Sequence, residues 1–314
     1  MRTAFVRALT DLARQDPRIT LITGDLGFGV LEDFSRAYPN QFLNAGVAEQ
    51  NMTSLAAGMA CAGRIVFTYS IGNFPTLRCV EQIRNDVCYH SANVKVVSVG
   101  GGFSYGALGM SHHATEDLAV MRAMPNMIVV APGDPLETEA ATRAVAAYPG
   151  PCYLRLGRAG ERCAYDKPPT FELGRAILVR EGGDLTLIST GAMLERSLGV
   201  AEQLAAQGVS TRVLSMHTIK PLDRDVVLKA AAETGHIATV EEHSEIGGLG
   251  SAVADVLAEA GLSKVRFRRV ALSSAFASIV GSQDYLRDAF GLSKQSITDR
   301  MLAFLNGKRA VGGP

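Results

Sequence analysis

Gly46-Val47-Ala48-Glu49-Gln50-Asn51-Met52-Thr53-Ser54-Leu55-Ala56-Ala57-Gly58-Met59-Ala60 is the stretch on which the reading of this chain turns. One carboxylate, Glu49, opens a run dominated by alanine, glycine, methionine and leucine. A helix of that composition is packed on most sides, so its leading carboxylate is being buried. An unpartnered buried carboxylate is costly, and burial favours the protonated acid. A protonated carboxyl can donate a hydrogen bond to a ring nitrogen. The small residues Ala56, Ala57, Gly58 and Ala60 suit close packing against another subunit.

Outward from this helix, short β-rich runs alternate with helical patterns. The clearest strands of the first half are Ile19-Thr23, Arg64-Thr68, Val94-Val99, Met127-Ala131 and Cys152-Leu156. The last four are apolar nearly throughout, as strands buried on both faces of a parallel sheet are. Helical patterns lie near 2–15, 48–62, 75–90, 115–123 and 134–148. Asp134 followed by Glu137 reads as a capping-box start. Around 158–174, Arg158-Ala159-Gly160 and Lys167-Pro168-Pro169 interrupt the pattern like a linker. A second run follows, with strands at 176–179, 185–189, 211–215, 236–240 and 265–270. Its helices lie near 192–207, 223–233, 248–260 and 284–306, and the tail from Gly307 to Pro314 is expected to fray. The fold class is α/β, with two doubly wound domains.

The chain has 314 residues, and Lys plus Arg equals Asp plus Glu at 31 each. That balance gives no reason to expect a nucleic-acid or anionic-membrane partner. The termini carry no long apolar run, and Met1-Arg2-Thr3-Ala4 leads into an amphipathic helix rather than a signal peptide. The expected setting is cytoplasmic. Cys61, Cys79, Cys88, Cys152 and Cys163 form no Cys-x-x-Cys pair and no metal-ligand spacing, and are read as reduced and mostly buried.

Four loops fall at the carboxyl ends of first-half strands, where open sheets bind ligands. They are Gly24-Asp25-Leu26-Gly27, the Glu49 turn, Tyr69 to Pro75, and Gly100 to His113. Together they offer an acid, aromatic faces, two histidines and a glycine-rich wall. The adjacent His112 and His113 lack a third ligand at metal spacing, so no metal is assigned to them.

The Gly46-x-Ala48-Glu49-Gln50-x-Met52 stretch resembles the transketolase family and its relatives. Gly109-Met110-Ser111-His112-His113 followed by Glu116-Asp117 resembles the family's Ser/Thr-His-Gln segment, with His113 in place of Gln. Val240-Glu241-Glu242-His243 and Gly247-Gly248-Leu249-Gly250 resemble the transketolase C-terminal domain, where His243 is read as structural or interfacial. The resemblance implies a pyrimidine-binding domain at 1–160, a linker at 161–174 and a C-terminal domain at 175–314. It implies that Glu49 is the acid that sets the aminopyrimidine tautomer of thiamine diphosphate. It implies that Phe74, or else Tyr69, stacks on that ring and that Asp25 lines the cleft. His112 then stands at the reaction centre. Arg122 and Arg155 fall where relatives of the deoxyxylulose-phosphate-synthase type bind substrate phosphate, and His113 belongs with these substrate contacts.

The family's Gly-Asp-Gly and the spaced Asn that hold Mg²⁺ and diphosphate have no counterpart here; Gly24-Asp25-Leu26 and Gly183-Asp184-Leu185 are the nearest. The chain therefore resembles the C-terminal subunit of a split enzyme. Its partner would carry Gly-Asp-Gly…Asn and most of the Mg²⁺ site, in an α₂β₂ heterotetramer that moves a two-carbon ketol unit between a ketose and an aldehyde. Within the substrate loop Leu108 replaces an acidic residue, a family histidine becomes glycine near Gly100, and a phosphate-contacting serine becomes Gly29 or a neighbour. Those losses imply a substrate other than the common pentose phosphates. Two rivals stand beside this reading: a decarboxylating 2-oxoacid enzyme (a dehydrogenase β subunit or a deoxyxylulose-phosphate-type synthase), and a non-catalytic regulatory subunit.

Overall fold

Apolar runs of four to seven residues between helical segments can satisfy their backbone groups only by lying side by side. The computed structural model, which describes residues 1–158 and 160–307, shows that arrangement twice. The strands are β1 Ile19–Thr23, β2 Phe42–Asn44, β3 Ile65–Ile71, β4 Val94–Val99, β5 Ile128–Val130 and β6 Cys152–Leu156, then β7 Ile177–Arg180, β8 Leu185–Ser189, β9 Thr211–Ser215, β10 Thr218–Lys220, β11 His236–Ser244 and β12 Arg266–Leu272. Among the described residues one sheet runs β10-β5-β6-β4-β3-β1-β2 and the other β12-β11-β8-β9-β7. The pairings are parallel except at two edges, where β10 meets β5 and β7 meets β9 antiparallel. Helices cover both faces, as the alternating pattern predicts.

The sequence pattern does not reveal β10. It is three residues long, lies in the second half of the chain, and adds to the edge of the first sheet, with Thr218 opposite Val130. The two halves are thus joined by backbone pairing. The helical stretch read at 75–90 is a composite of a 3₁₀ turn at Leu77–Cys79, a short α segment at Val80–Gln82 and a π turn at Ile83–Cys88. The wide last turns bring Ile83, Val87 and Cys88 into the core. The helix read at 284–306 is two, Gln283–Ala289 and Lys294–Leu305. Gly291 takes φ +74° between them, and Ser293 caps the second by accepting from the N–H of Ser296.

The Asp134 cap forms as read, Oδ1 accepting from the N–H of Glu137 at 2.7 Å. Glu137 reaches back to the N–H of Gly133. Of the small residues on the helix Glu49–Cys61, Ala56 and Ala57 pack into their own domain, while Ser54, Leu55, Gly58 and Cys61 face outward. The 3.6-residue period divides the small residues between two faces, so only Gly58 and the partly covered Ala60 remain for an outside contact. All five cysteines are free; Cys79, Cys88 and Cys152 are buried, Cys61 and Cys163 exposed. No helix among the described residues is long and apolar enough to cross a membrane. The tail beyond residue 307 lies outside the described residues, as does Ala159 in the linker.

Candidate active site

The carboxyl ends of β1, β3 and β4 bring the candidate residues together. Glu49 is the first residue of its helix and only 2% exposed. It reaches the strand ends because Gly24 offers no side chain: a Cβ there would stand 3.3 Å from Cγ of Glu49. The expectation of an unpartnered acid needs correction. Oε2 accepts from Nη1 of Arg78 at 2.7 Å, and a guanidinium offsets the cost of burying a carboxylate.

From that pair a strip of planar groups runs along the loops. Cζ of Arg78 lies 4.7 Å from the centroid of Phe74. Phe74 meets His112 edge-on at 5.1 Å between centroids. His112 is 6.5 Å from Tyr105, and Cζ of Arg158 lies 5.1 Å over the Tyr105 ring. The Phe74 and histidine loops are tied together by Asn73, whose amide donates to the carbonyl of His113 at 2.8 Å. The Oγ of Ser111 stands 3.0 Å from Nδ1 of His112. Partial burial and the neighbouring His113 hold the His112 imidazole below its ordinary pKa, so it is neutral at pH 7 and able to accept a proton. Asp25 sits at the exposed rim with φ +54°, exchanging hydrogen bonds with the side chain of Asn44.

Four expected residues stand elsewhere. Tyr69 is buried and stacks on Phe5 at 6.0 Å, its phenol pushed above the ordinary range by desolvation; it is a core residue, whereas Phe74 is only partly buried, beside Arg78 and His112. His113 is buried against Phe103, with Nε2 3.2 Å from the carbonyl of Gly106. Arg155 is buried, and its Nε meets Asp117 at 2.8 Å while Nη2 reaches the carbonyls of Ala114 and Glu242. Arg122 donates to the carbonyls of Gly247 and Gly248. Both arginines clasp the second domain to the first; Arg155 is buried, while the Arg122 side chain keeps 20% exposure.

Sequence reasoning missed Arg78, Tyr105 and Arg158 as site residues. Arg78 follows Phe74 by four residues, a spacing that lets the two side chains meet on a helical turn. Arg158 falls in the stretch read as a linker. It is exposed and lines, with Arg2, Tyr105 and Leu108, a cavity of about 630 Å³. Tyr105 packs over Gly100, whose φ is +93° and where a Cβ would overlap the ring.

The second domain closes the back of the site. Glu242 accepts from the N–H of Phe103 at 3.0 Å and from Nη2 of Arg287 at 2.7 Å. His243, buried at the junction, takes the N–H of Ala119 on Nε2 at 3.3 Å. Its imidazole is lowered to about 4 by burial. This matches its reading as structural or interfacial. Glu241, raised to about 7 by desolvation, caps the next helix through the N–H groups of Leu249 and Gly250.

An acid and an aromatic face at the carboxyl ends of a parallel sheet, backed by a second α/β domain, match two family models. Residues 1–161 match the transketolase pyrimidine-binding domain and residues 174–297 the transketolase C-terminal domain. The chain belongs to the transketolase family. Among its transketolase relatives, the 6-deoxy-6-sulfo-D-fructose transketolase subunit SqwH of Clostridium sp. (strain MSTE9) is 39% identical, over 95% of this chain and 92% of that protein. An apulose-4-phosphate transketolase subunit of Phocaeicola vulgatus is 38% identical, over 97% of each. The solved structure of a split-gene transketolase, an inactive β4 tetramer, is 37% identical with a TM-score of 0.90, covering 98% of this chain and 99% of that one. The chain thus corresponds to the C-terminal subunit of split transketolases.

Proposed function

We propose that the chain works with an N-terminal partner as a thiamine diphosphate- and Mg²⁺-dependent transketolase, moving a two-carbon ketol unit from a ketose to an aldehyde. The observation that carries this reading is the convergence of Glu49 and Phe74 on one planar group, the guanidinium of Arg78. The two residues offer a carboxyl for a ring nitrogen and an aromatic face for the ring. The pair suits the aminopyrimidine half of the cofactor, and Gly24, with no side chain, lets Glu49 lie against the end of β1. Among the described residues no group of three or more His, Cys, Asp or Glu side chains is placed to hold a metal ion. The Mg²⁺ and diphosphate therefore belong, in this proposal, to a partner with Gly-Asp-Gly…Asn.

Bound thiamine diphosphate supplies the nucleophilic carbon that carries the two-carbon unit. Glu49 holds a proton at the ring nitrogen, Phe74 orients the ring, and neutral His112 takes or returns a proton at a substrate hydroxyl. Arg158, rather than Arg122 or Arg155, meets an anionic end of the sugar. Asp25 and Asn44 shape the rim. The cytoplasmic setting belongs to the same proposal, as does assembly to α₂β₂. Relatives acting on a sulfonated ketose and on apulose 4-phosphate support a substrate outside the common pentose phosphates.

The test is reconstitution with a partner chain of ~250–300 residues, a usual domain-pair size. The isolated chain is expected to self-associate and to bind thiamine diphosphate weakly or not at all by calorimetry. The mixed pair is expected to bind it and to transfer ketol units. Tight binding by the chain alone overturns the shared site. CO₂ release from pyruvate favours the decarboxylating rival, and no binding by the pair favours a regulatory role.

A further inference from the structure

Arg78 touches both residues that the proposed function assigns to the cofactor ring. One planar group touches both walls: Nη1 bonds Oε2 of Glu49 at 2.7 Å, and Cζ lies 4.7 Å from the Phe74 centroid. A second planar group that bonds Oε2 of Glu49 and stacks on the same face of Phe74 competes with the guanidinium for both contacts. The guanidinium also resembles the expected guest. It is flat, delocalised and presents N–C–N toward a carboxylate, as the amino-substituted edge of an aminopyrimidine does.

We propose, building on the reading above, that Arg78 is a placeholder for the aminopyrimidine, holding Glu49 and Phe74 until the cofactor enters and then swinging out. The buried carboxylate needs such a group. Glu49 is 2% exposed and the Arg78 side chain is 46% exposed, so without Arg78 the carboxylate would stand buried with no cation. The same asymmetry makes release feasible. The arginine stem is long, and its head can move into water at little cost, whereas Glu49 is held in place by the helix it opens. Release also changes the state of Glu49. Paired with a guanidinium, the carboxylate only accepts; bonded to a ring nitrogen acceptor, it must carry the proton. Arg78 therefore keeps the site in its resting form until a ring displaces it. The fraction of chains with Arg78 already out sets the apparent cofactor affinity.

The experiment measures thiamine diphosphate affinity by calorimetry, with Mg²⁺ present, on the full chain assembled with its partner. Arg78→Met is expected to tighten binding about tenfold, as removal of a state populated roughly nine times in ten would do. Without cofactor, the same variant is expected to melt below wild type, and a second substitution, Glu49→Gln, to restore the loss. Because removing the cation also favours the protonated acid that a ring nitrogen needs, the discriminating variant is Arg78→Lys, which keeps the charge but loses the flat fork: a tightening of about threefold is expected. Unchanged or weaker affinity in the folded variant overturns the placeholder and makes Arg78 a bystander or a direct cofactor contact. A wild-type assembly that binds no cofactor overturns the functional reading and the placeholder with it.

Discussion

The backbone N–H of Phe103, in the glycine loop of the first domain, donates to Oε1 of Glu242, in the second, at 3.0 Å. Gly102 makes the approach possible, because a Cβ there would overlap the Glu242 side chain. Arg287 and Gln283 hold the same carboxylate from the far side at 2.7 and 2.9 Å. The second domain thus positions the substrate loop through one buried acid. Glu242→Ala leaves the buried Arg287 with only the exposed Asp284, at 3.6 Å, as a partner, which costs about 3 kcal/mol. Differential scanning calorimetry is expected to show a melting point lower by roughly 10 °C. A shift within 2 °C, on the order of 1 kcal/mol or less, would mean that the latch contributes little.

Glu49→Gln keeps the shape of the side chain but removes its acid proton. The assembled variant is expected to fold and to lose hydrogen–deuterium exchange at the cofactor's thiazolium C2. General acid–base groups contribute about 10²–10⁴-fold, and the loss should reach at least the upper part of that range. An exchange rate equal to wild type removes Glu49 from the role.

Arg155 and Arg158 lie three positions apart and differ in burial, the first buried and the second exposed. Arg155→Met breaks a buried pair with Asp117, so a stability loss of about 3–5 kcal/mol is expected by denaturant unfolding. Arg158→Met touches an exposed side chain beside Tyr105. It is expected to leave stability within about 0.5 kcal/mol and to raise KM for an anionic sugar more than for a neutral one. The reverse pattern would restore Arg155 as the substrate residue.

His243 gives the domain junction a pH dependence of known sign. Its folded pKa is about 4, below the unfolded value of about 6.5. Between these limits the unfolded chain binds a proton that the folded chain refuses, so stability is full above pH 6.5 and falls toward pH 4. Glu241 acts oppositely over the window from its ordinary carboxylate range up to about 7, holding a proton in the folded state and losing stability as pH rises. Comparison of wild type with His243→Asn isolates the first effect. The stability gap between them is expected to shrink by up to about 3 kcal/mol as pH drops from 6.5 to 4. A constant gap would show that the imidazole stays accessible to protons in the fold.

Leu108 is exposed at the cavity lined by Arg158 and Tyr105, where standard transketolases carry an acidic contact. A site without that hydrogen-bond partner does not reward the matching hydroxyl. The reconstituted pair is expected to use xylulose 5-phosphate and ribose 5-phosphate poorly and to prefer another sugar or aldehyde. A kcat/KM for the pentose pair in the usual enzyme range of ~10⁴–10⁸ M⁻¹s⁻¹, above every alternative in an aldose panel, would count Leu108 as neutral.

The βαβ series, the two sheets and the burial of Glu49 were legible because each is a local property: strand and helix periods, and a carboxylate at the head of an apolar helix. The meeting of the Phe74 and His112 loops was legible through the family resemblance, since those loops follow strands that the pattern locates. Other features depend on which distant groups meet. β10 is too short to carry a period, and only its pairing with β5 makes it a strand. Tyr69 and Phe74 lie five residues apart, yet Tyr69 is still within β3 and packs on Phe5 in the core, whereas Phe74 lies beyond the strand end. Arg155 is four residues into a buried strand and finds Asp117 there, whereas Arg158 lies beyond the strand end and stays exposed. Charge and spacing in the sequence cannot separate these cases, because a guanidinium's role is decided by its nearest carboxylate or ring. Arg78 shows the same limit: its partners Glu49 and Phe74 come from two strand ends, and only the folded sheet brings them within reach of one side chain.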